Sequence, residues 1–63
     1  MINYLKGIVT DIIGNMVTIE VNNIGYQVHV GNPFYYKINS DYKIYVKDII
    51  RDENYLLYGF KTS

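Results

Sequence analysis

Met16-Val17-Thr18-Ile19-Glu20-Val21-Asn22-Asn23-Ile24-Gly25-Tyr26-Gln27-Val28-His29-Val30 is the stretch that decides the fold class. In its first six residues apolar and polar side chains alternate. Val17, Ile19 and Val21 fall on one side, Thr18 and Glu20 on the other. A period of two marks a strand with one buried face, because successive side chains of extended backbone point to opposite faces. Tyr26, Val28 and Val30 repeat the pattern as a second inward row, with Gln27 and His29 outward. Asn22-Asn23-Ile24-Gly25 between them reads as a turn.

Working outward, Gly14-Asn15 marks a tight turn that tolerates positive φ, and the residues before it, from about Asn3 to Ile13, read as a first strand. After Val30 the alternation stops. Gly31-Asn32-Pro33 has the form of a helix start, with Asn32 as N-cap and Pro33 in the first helical position. Phe34, Tyr35 and Ile38 are then expected to cover one end of a barrel, and Asn39-Ser40-Asp41 to end the helical turn. A fourth strand follows from Tyr42 to Arg51, a turn at Asp52-Glu53-Asn54, and a fifth strand from Tyr55 to Phe60, with Lys61-Thr62-Ser63 trailing. Three strands, a short helix and two strands is the order of an OB-fold. The expected class is all-β: a five-stranded Greek-key barrel with one short helix between strands 3 and 4. SH3-like barrels compete at this length, but they usually lack a helical element at that point.

The 63 residues suffice for one domain, read as residues 1–63 without an internal boundary or repeat. The chain contains no cysteine, so no disulfide reinforces a core this small, and a reducing cytosol fits. A structural zinc needs grouped Cys or His ligands, and His29 is the single histidine. No cofactor is expected. No apolar run reaches the length of a membrane span, and the N-terminus lacks the basic start and apolar middle of a signal peptide, so a cytoplasmic protein with no membrane partner is expected. Six basic residues balance six acidic ones, which argues against a strongly basic nucleic-acid domain but leaves the distribution of charge open.

Catalysis finds little support. An activated nucleophile needs a Ser, Cys or Thr beside a base, and the five glycines are scattered rather than gathered into a phosphate loop. The fourth strand is more suggestive. Alternation places Lys43, Tyr45, Lys47, Ile49 and Arg51 on one face, and cations interleaved with aromatics suit a nucleic-acid backbone. The plainer reading is a solvated strand whose lysines discourage edge pairing. His29 and Lys6 are outward candidates for DNA contact, with ordinary surface polarity as the alternative. Gly7, beside Lys6, suggests a bulge or a close backbone approach. Asp52 and Glu53 sit together at the tip of the last hairpin. Turn chemistry alone accounts for an Asp there, yet two carboxylates beside a cationic strand would repel a phosphate backbone at one protruding spot.

Leu5-Lys6-Gly7, Ile19-Glu20-Val21 with Gly25-Tyr26-Gln27-Val28-His29-Val30, and Arg51-Asp52-Glu53 leading to Leu56-Leu57-Tyr58-Gly59-Phe60 together resemble the N-terminal domain of the RuvA family of bacterial Holliday-junction-binding proteins. The resemblance covers nearly the whole chain. It implies an OB-fold, a homotetramer on four-way junction DNA, and an acidic pin, Asp52 and Glu53, at the crossover. It further implies DNA contacts from Arg51, Lys6 and His29, and more loosely from Lys43 and Lys47. Family members continue into a helix-hairpin-helix domain and a C-terminal domain that contacts the RuvB motor. The resemblance therefore implies an isolated N-terminal domain without enzymatic activity, the ATPase being RuvB. Asp48 departs from the pattern, adding a charge where relatives can carry a bulky apolar residue. Two other functional classes stay open on the residues: a generic single-stranded oligonucleotide-binding domain with Tyr45 as a stacking platform, and a protein-interaction barrel using its exposed tyrosines.

Overall fold

The computed structural model describes residues 2–61; of the trailing segment, Thr62 and Ser63 lie outside them. Among the described residues five strands appear in chain order: β1 (Tyr4–Ile13), β2 (Met16–Val21), β3 (Ile24–Val30), β4 (Asp41–Arg51) and β5 (Asn54–Phe60). One 3-10 turn, Pro33–Tyr35, lies between β3 and β4. The strands close into a barrel in the order β1-β2-β3-β5-β4. β3 and β5 run parallel, and the other neighbours are antiparallel. This is the OB-fold arrangement that the strand order implied. Among the described residues no helix is long and apolar enough to cross a membrane.

The alternating residues supply the interior. Val17 and Ile19 from β2, Val28 from β3, Val9 from β1 and Ile44 from β4 are completely buried, and Leu5, Val30, Val46 and Leu57 complete the strand contribution. Full burial of each such aliphatic side chain stabilises the fold by about 1.5–3 kcal/mol relative to exposure. Gly59 faces this interior. A Cβ there would meet Val28 Cγ1 at 2.6 Å and Ile44 Cγ2 at 2.8 Å, so the packed centre leaves room only for a hydrogen. Gly7 answers to the close approach expected of it: a Cβ would collide with the backbone carbonyl of Glu20 on the neighbouring strand.

The bulge lies three residues further along β1. The β1–β2 register shifts between Val9 and Asp11, which leaves Thr10 as the extra residue. Leu5 and Val9 point inward before it, and Ile12, opposite the buried Val17, packs against the core after it. The bulge thus lets one long strand keep its apolar side on a curving wall.

The segment after β3 differs from expectation. Asn32 caps as anticipated, its Oδ1 accepting from the Phe34 N–H at 3.2 Å, and Pro33 opens the turn. The helix is only a three-residue 3-10 turn, however, and Phe34, Tyr35 and Ile38 are exposed, Phe34 at 92%. Tyr36 closes the barrel instead. It leaves the turn in extended conformation, is buried, and packs edge-on against Tyr35 and Tyr42 with ring centroids 5.0 Å apart in both cases. Its phenol is pushed above the usual tyrosine range, first by burial and then by the neighbouring phenols of Tyr35 and Tyr42. The turns are also shorter than expected. Ile24 and Gly25 pair within β3 and Asn54 within β5, because two residues with positive φ are enough to reverse each hairpin. Asp41 likewise pairs, opposite Ile8.

Candidate nucleic-acid interface

The outward residues of β1 and β4 meet across an antiparallel ladder. Lys6 stands directly opposite Lys43, and Tyr4 opposite Tyr45. Like charges in directly opposed positions destabilise a sheet, so the fold carries a local cost at this spot. The Lys43 ammonium lies over both tyrosine rings, 4.5 Å from the Tyr4 centroid and 5.0 Å from that of Tyr45, and such contacts partly offset the repulsion. The same contacts occupy Tyr45, which is half-buried and packed edge-on against Tyr4, so it is a poorer open platform than its sequence position suggested.

Lys47 continues the face and stands opposite Tyr58 on β5, whose parallel neighbour on β3 is His29. The His29 and Tyr58 rings stack at 5.3 Å with 29° between their planes. His29 is outward, as alternation required, but half-buried, with one ring face taken by Tyr58. Lys6, Lys43, Lys47 and His29 therefore share one outer surface spanning β1, β4, β5 and β3.

Arg51 lies apart from that surface, at the end of a projecting ribbon. The last β1–β4 pair is Tyr4↔Tyr45, whereas β4 and β5 stay paired in unbroken register to Arg51↔Asn54. At about 3.4 Å per residue, β4 runs on for roughly 20 Å past Tyr45. Val46, whose N–H donates to the Asn3 carbonyl, and Leu57 opposite Asp48 keep the start of this run on the barrel, and the residues beyond them form the tip. Unbroken register keeps Lys47, Ile49 and Arg51 on the cationic side of the ribbon. Asp48, Ile50 and Tyr55 take the other side, where the Tyr55 hydroxyl donates to Asp48 Oδ2 at 3.0 Å. That bond gives the unexpected acid a partner. The Tyr55 phenol is shifted upward, by desolvation first and then by the hydrogen bond and charge of Asp48.

The tip itself breaks a local rule. Asp52 has φ 49° and Glu53 φ 66°, both in the left-handed region. A two-residue hairpin turn of this kind strongly favours Asn-Gly or Asp-Gly, since other side chains are strained there. The β2–β3 turn has nearly the same dihedrals, φ 51° and 66°, and fills them with Asn22 and Asn23, a pair the conformation tolerates better. At the tip the sequence places Glu53 in the second position and leaves both carboxylates exposed. The tip therefore carries a local backbone cost that Asn or Gly in the second position would lower.

The family model described as the RuvA N-terminal domain matches residues 1–59. The chain belongs to the RuvA N-terminal domain family. It is 44% identical, over 65 aligned positions, to the Holliday junction branch migration complex subunit RuvA of Streptococcus pneumoniae strains Hungary19A-6, CGSP14 and TIGR4. The match takes in 100% of this chain and 33% of each relative, so the chain spans about a third of the length of the curated RuvA proteins it resembles. Within this RuvA N-terminal domain, sequence reasoning passed over Tyr58 and Tyr4, the two rings that complete the cationic face. Both lie at outward positions of their strands, and the parity of β1 and β5 was enough to find them.

Proposed function

We propose that the chain is a non-catalytic, junction-binding scaffold domain of a cytoplasmic branch migration complex, acting on four-way DNA as part of a homotetramer. The observation that carries the reading is the hairpin: one uninterrupted ribbon joins the cationic side to a strained, doubly acidic tip. Lys6, Lys43 and Lys47 draw phosphates to the barrel by charge, with His29 beside them, and Arg51 holds the backbone close to the tip. Asp52 and Glu53 act by repulsion at the crossover, keeping strands apart and guiding their exchange. Two unit charges 4 Å apart interact by about 1 kcal/mol in bulk water and about 4 kcal/mol at an effective dielectric of 20. Four such tips gathered at one crossover would therefore act strongly on nearby phosphates, and less so in high salt. The names of the relatives support the assignment to branch migration. The RuvB motor would supply the ATP-driven step, reached through a domain beyond the third of the relatives that this chain matches.

The test is a full-length relative carrying this domain, with Asp52→Asn and Glu53→Gln together. Junction binding should persist or tighten while branch migration changes rate. If the double variant loses binding as severely as Arg51→Ala does, the tip grips the DNA and the repulsion reading fails.

A further inference from the structure

β3 and β5 pair through His29↔Tyr58 and Val30↔Gly59. Before those pairs the two strands diverge around a cleft of about 520 Å³, whose lining includes Thr18, Ile24, Gly25, Gln27, Tyr55 and Leu57. That volume falls in the range of small-molecule sites. One wall is the Tyr55 ring, 54% exposed and held along the ribbon by its bond to Asp48. Ile24, equally exposed, and the buried Leu57 add apolar surface. Gly25 has no side chain to fill the space; a Cβ there would come within 3.2 Å of the Thr18 methyl. The polar groups are neutral: the exposed Gln27 amide offers donors and an acceptor, and the Thr18 hydroxyl offers one of each. On the Tyr55 face of the hairpin the charge is acidic: Asp48 holds the Tyr55 hydroxyl, Lys47 and Arg51 alternate to the opposite face, and Glu20 pairs with Gly25.

We infer that this cleft receives one unpaired nucleobase, stacked on Tyr55 with its edge toward Gln27 and Thr18. The occupant must be flat to lie against the ring, must carry donors and acceptors on its edge, and must be uncharged, since the surrounding carboxylates repel a phosphate. A nucleobase meets all three conditions, and its own backbone stays outside the acidic rim. The inference rests on the junction reading only for the source of the base: a tip that parts strands at a crossover leaves bases without partners within reach of the cleft. Stacking on an aromatic side chain is worth about 5-fold to 150-fold in affinity per base.

The experiment follows backbone amide shifts while the chain is titrated with a single strand of about eight nucleotides, with a blunt duplex, and with a four-way junction. The single strand, and not the duplex, should move Gly25, Gln27 and Tyr55. Tyr55→Ala removes the ring and Gly25→Ala fills the floor; each should weaken single-strand binding at least about 5-fold, while Tyr55→Phe stays within about twofold. Shifts confined to the Lys6, Lys43 and Lys47 surface, or wild-type affinity in both alanine variants, would overturn the inference. So would cleft shifts that grow with protein concentration alone, which assign the cleft to a second copy of the chain. Single-strand binding in the cleft, with a full-length relative carrying this domain that ignores the junction, sinks the junction reading and keeps this one; junction binding with an untouched cleft does the reverse.

Discussion

Replacing Glu53 with glycine should make the protein more stable. The residue sits at φ 66°, where an ordinary side chain crowds the following carbonyl at a cost of about 1–2 kcal/mol. Glycine removes that cost but gives the unfolded chain more freedom, which returns about 0.4–1 kcal/mol. The net gain is about 1 kcal/mol, and in a domain of this size that raises Tm by roughly 4–8 °C. Far-UV circular dichroism melts of Glu53→Gly and wild type measure it directly. Two controls isolate the cause. Glu53→Gln keeps the strained backbone and removes the charge, so it should melt close to wild type. Asn23→Glu imposes the tip's residue on the matching position of the β2–β3 turn, φ 66°, and should cost a similar amount in the opposite direction. Equal gains from Gln and Gly would attribute the effect to relieved repulsion between Asp52 and Glu53. No gain from Gly would refute the strain argument altogether.

Three further outcomes follow from the packing and the charges. Gly59→Ala drives a methyl against Val28 and Ile44 and should destabilise the barrel by about 1–3 kcal/mol, read from the urea midpoint. The Tyr36 phenol keeps its proton in the folded state above pH 10.0, where the unfolded chain loses it; the native state then binds more protons, so stability is fully present below that pH and falls as pH rises through the window. Tyr36→Phe should flatten that alkaline decline in urea titrations at a series of pH values. Changing Lys6, Lys43 or Lys47 to glutamine should lower the salt dependence of junction binding by about 0.9 in log–log slope for each phosphate that the lysine neutralises, measured by anisotropy; an unchanged slope removes that lysine from the interface.

The strands were readable because each carries its own period. β2 runs from Met16 to Val21 as its alternation required, and the glycine at position 7 announced a close approach. The readable part of the site was parity: Lys43 and Lys47 share a face because β4 keeps register without a slip, first against β1 and then against β5. Other features had no local signal. The bulge at Thr10 is set by curvature that only the closed barrel imposes. Tyr36 was missed because helical spacing favoured its neighbours, whereas the 3-10 turn stops at Tyr35 and releases Tyr36 inward. His29 could be placed outward from sequence, but its stacking on Tyr58 depends on the parallel β3–β5 contact, a pairing between residues 29 positions apart. The strain at Asp52-Glu53 was legible only in part. The sequence marks a turn, and its positive φ values depend on the turn being two residues rather than three.

The short junction between β3 and β5 also has a mechanical meaning. If DNA presses on the tip as proposed, the ribbon becomes a lever. β4 is anchored along β1 by pairs from Ile8↔Asp41 to Tyr4↔Tyr45, whereas β5 is moored to β3 by two pairs. Torque at the tip is therefore concentrated on those two rungs, and the His29–Tyr58 stack lies on one of them. His29, proposed from sequence as a DNA contact, thus also sits at one of the two rungs that tie the outer strand of the ribbon to the barrel.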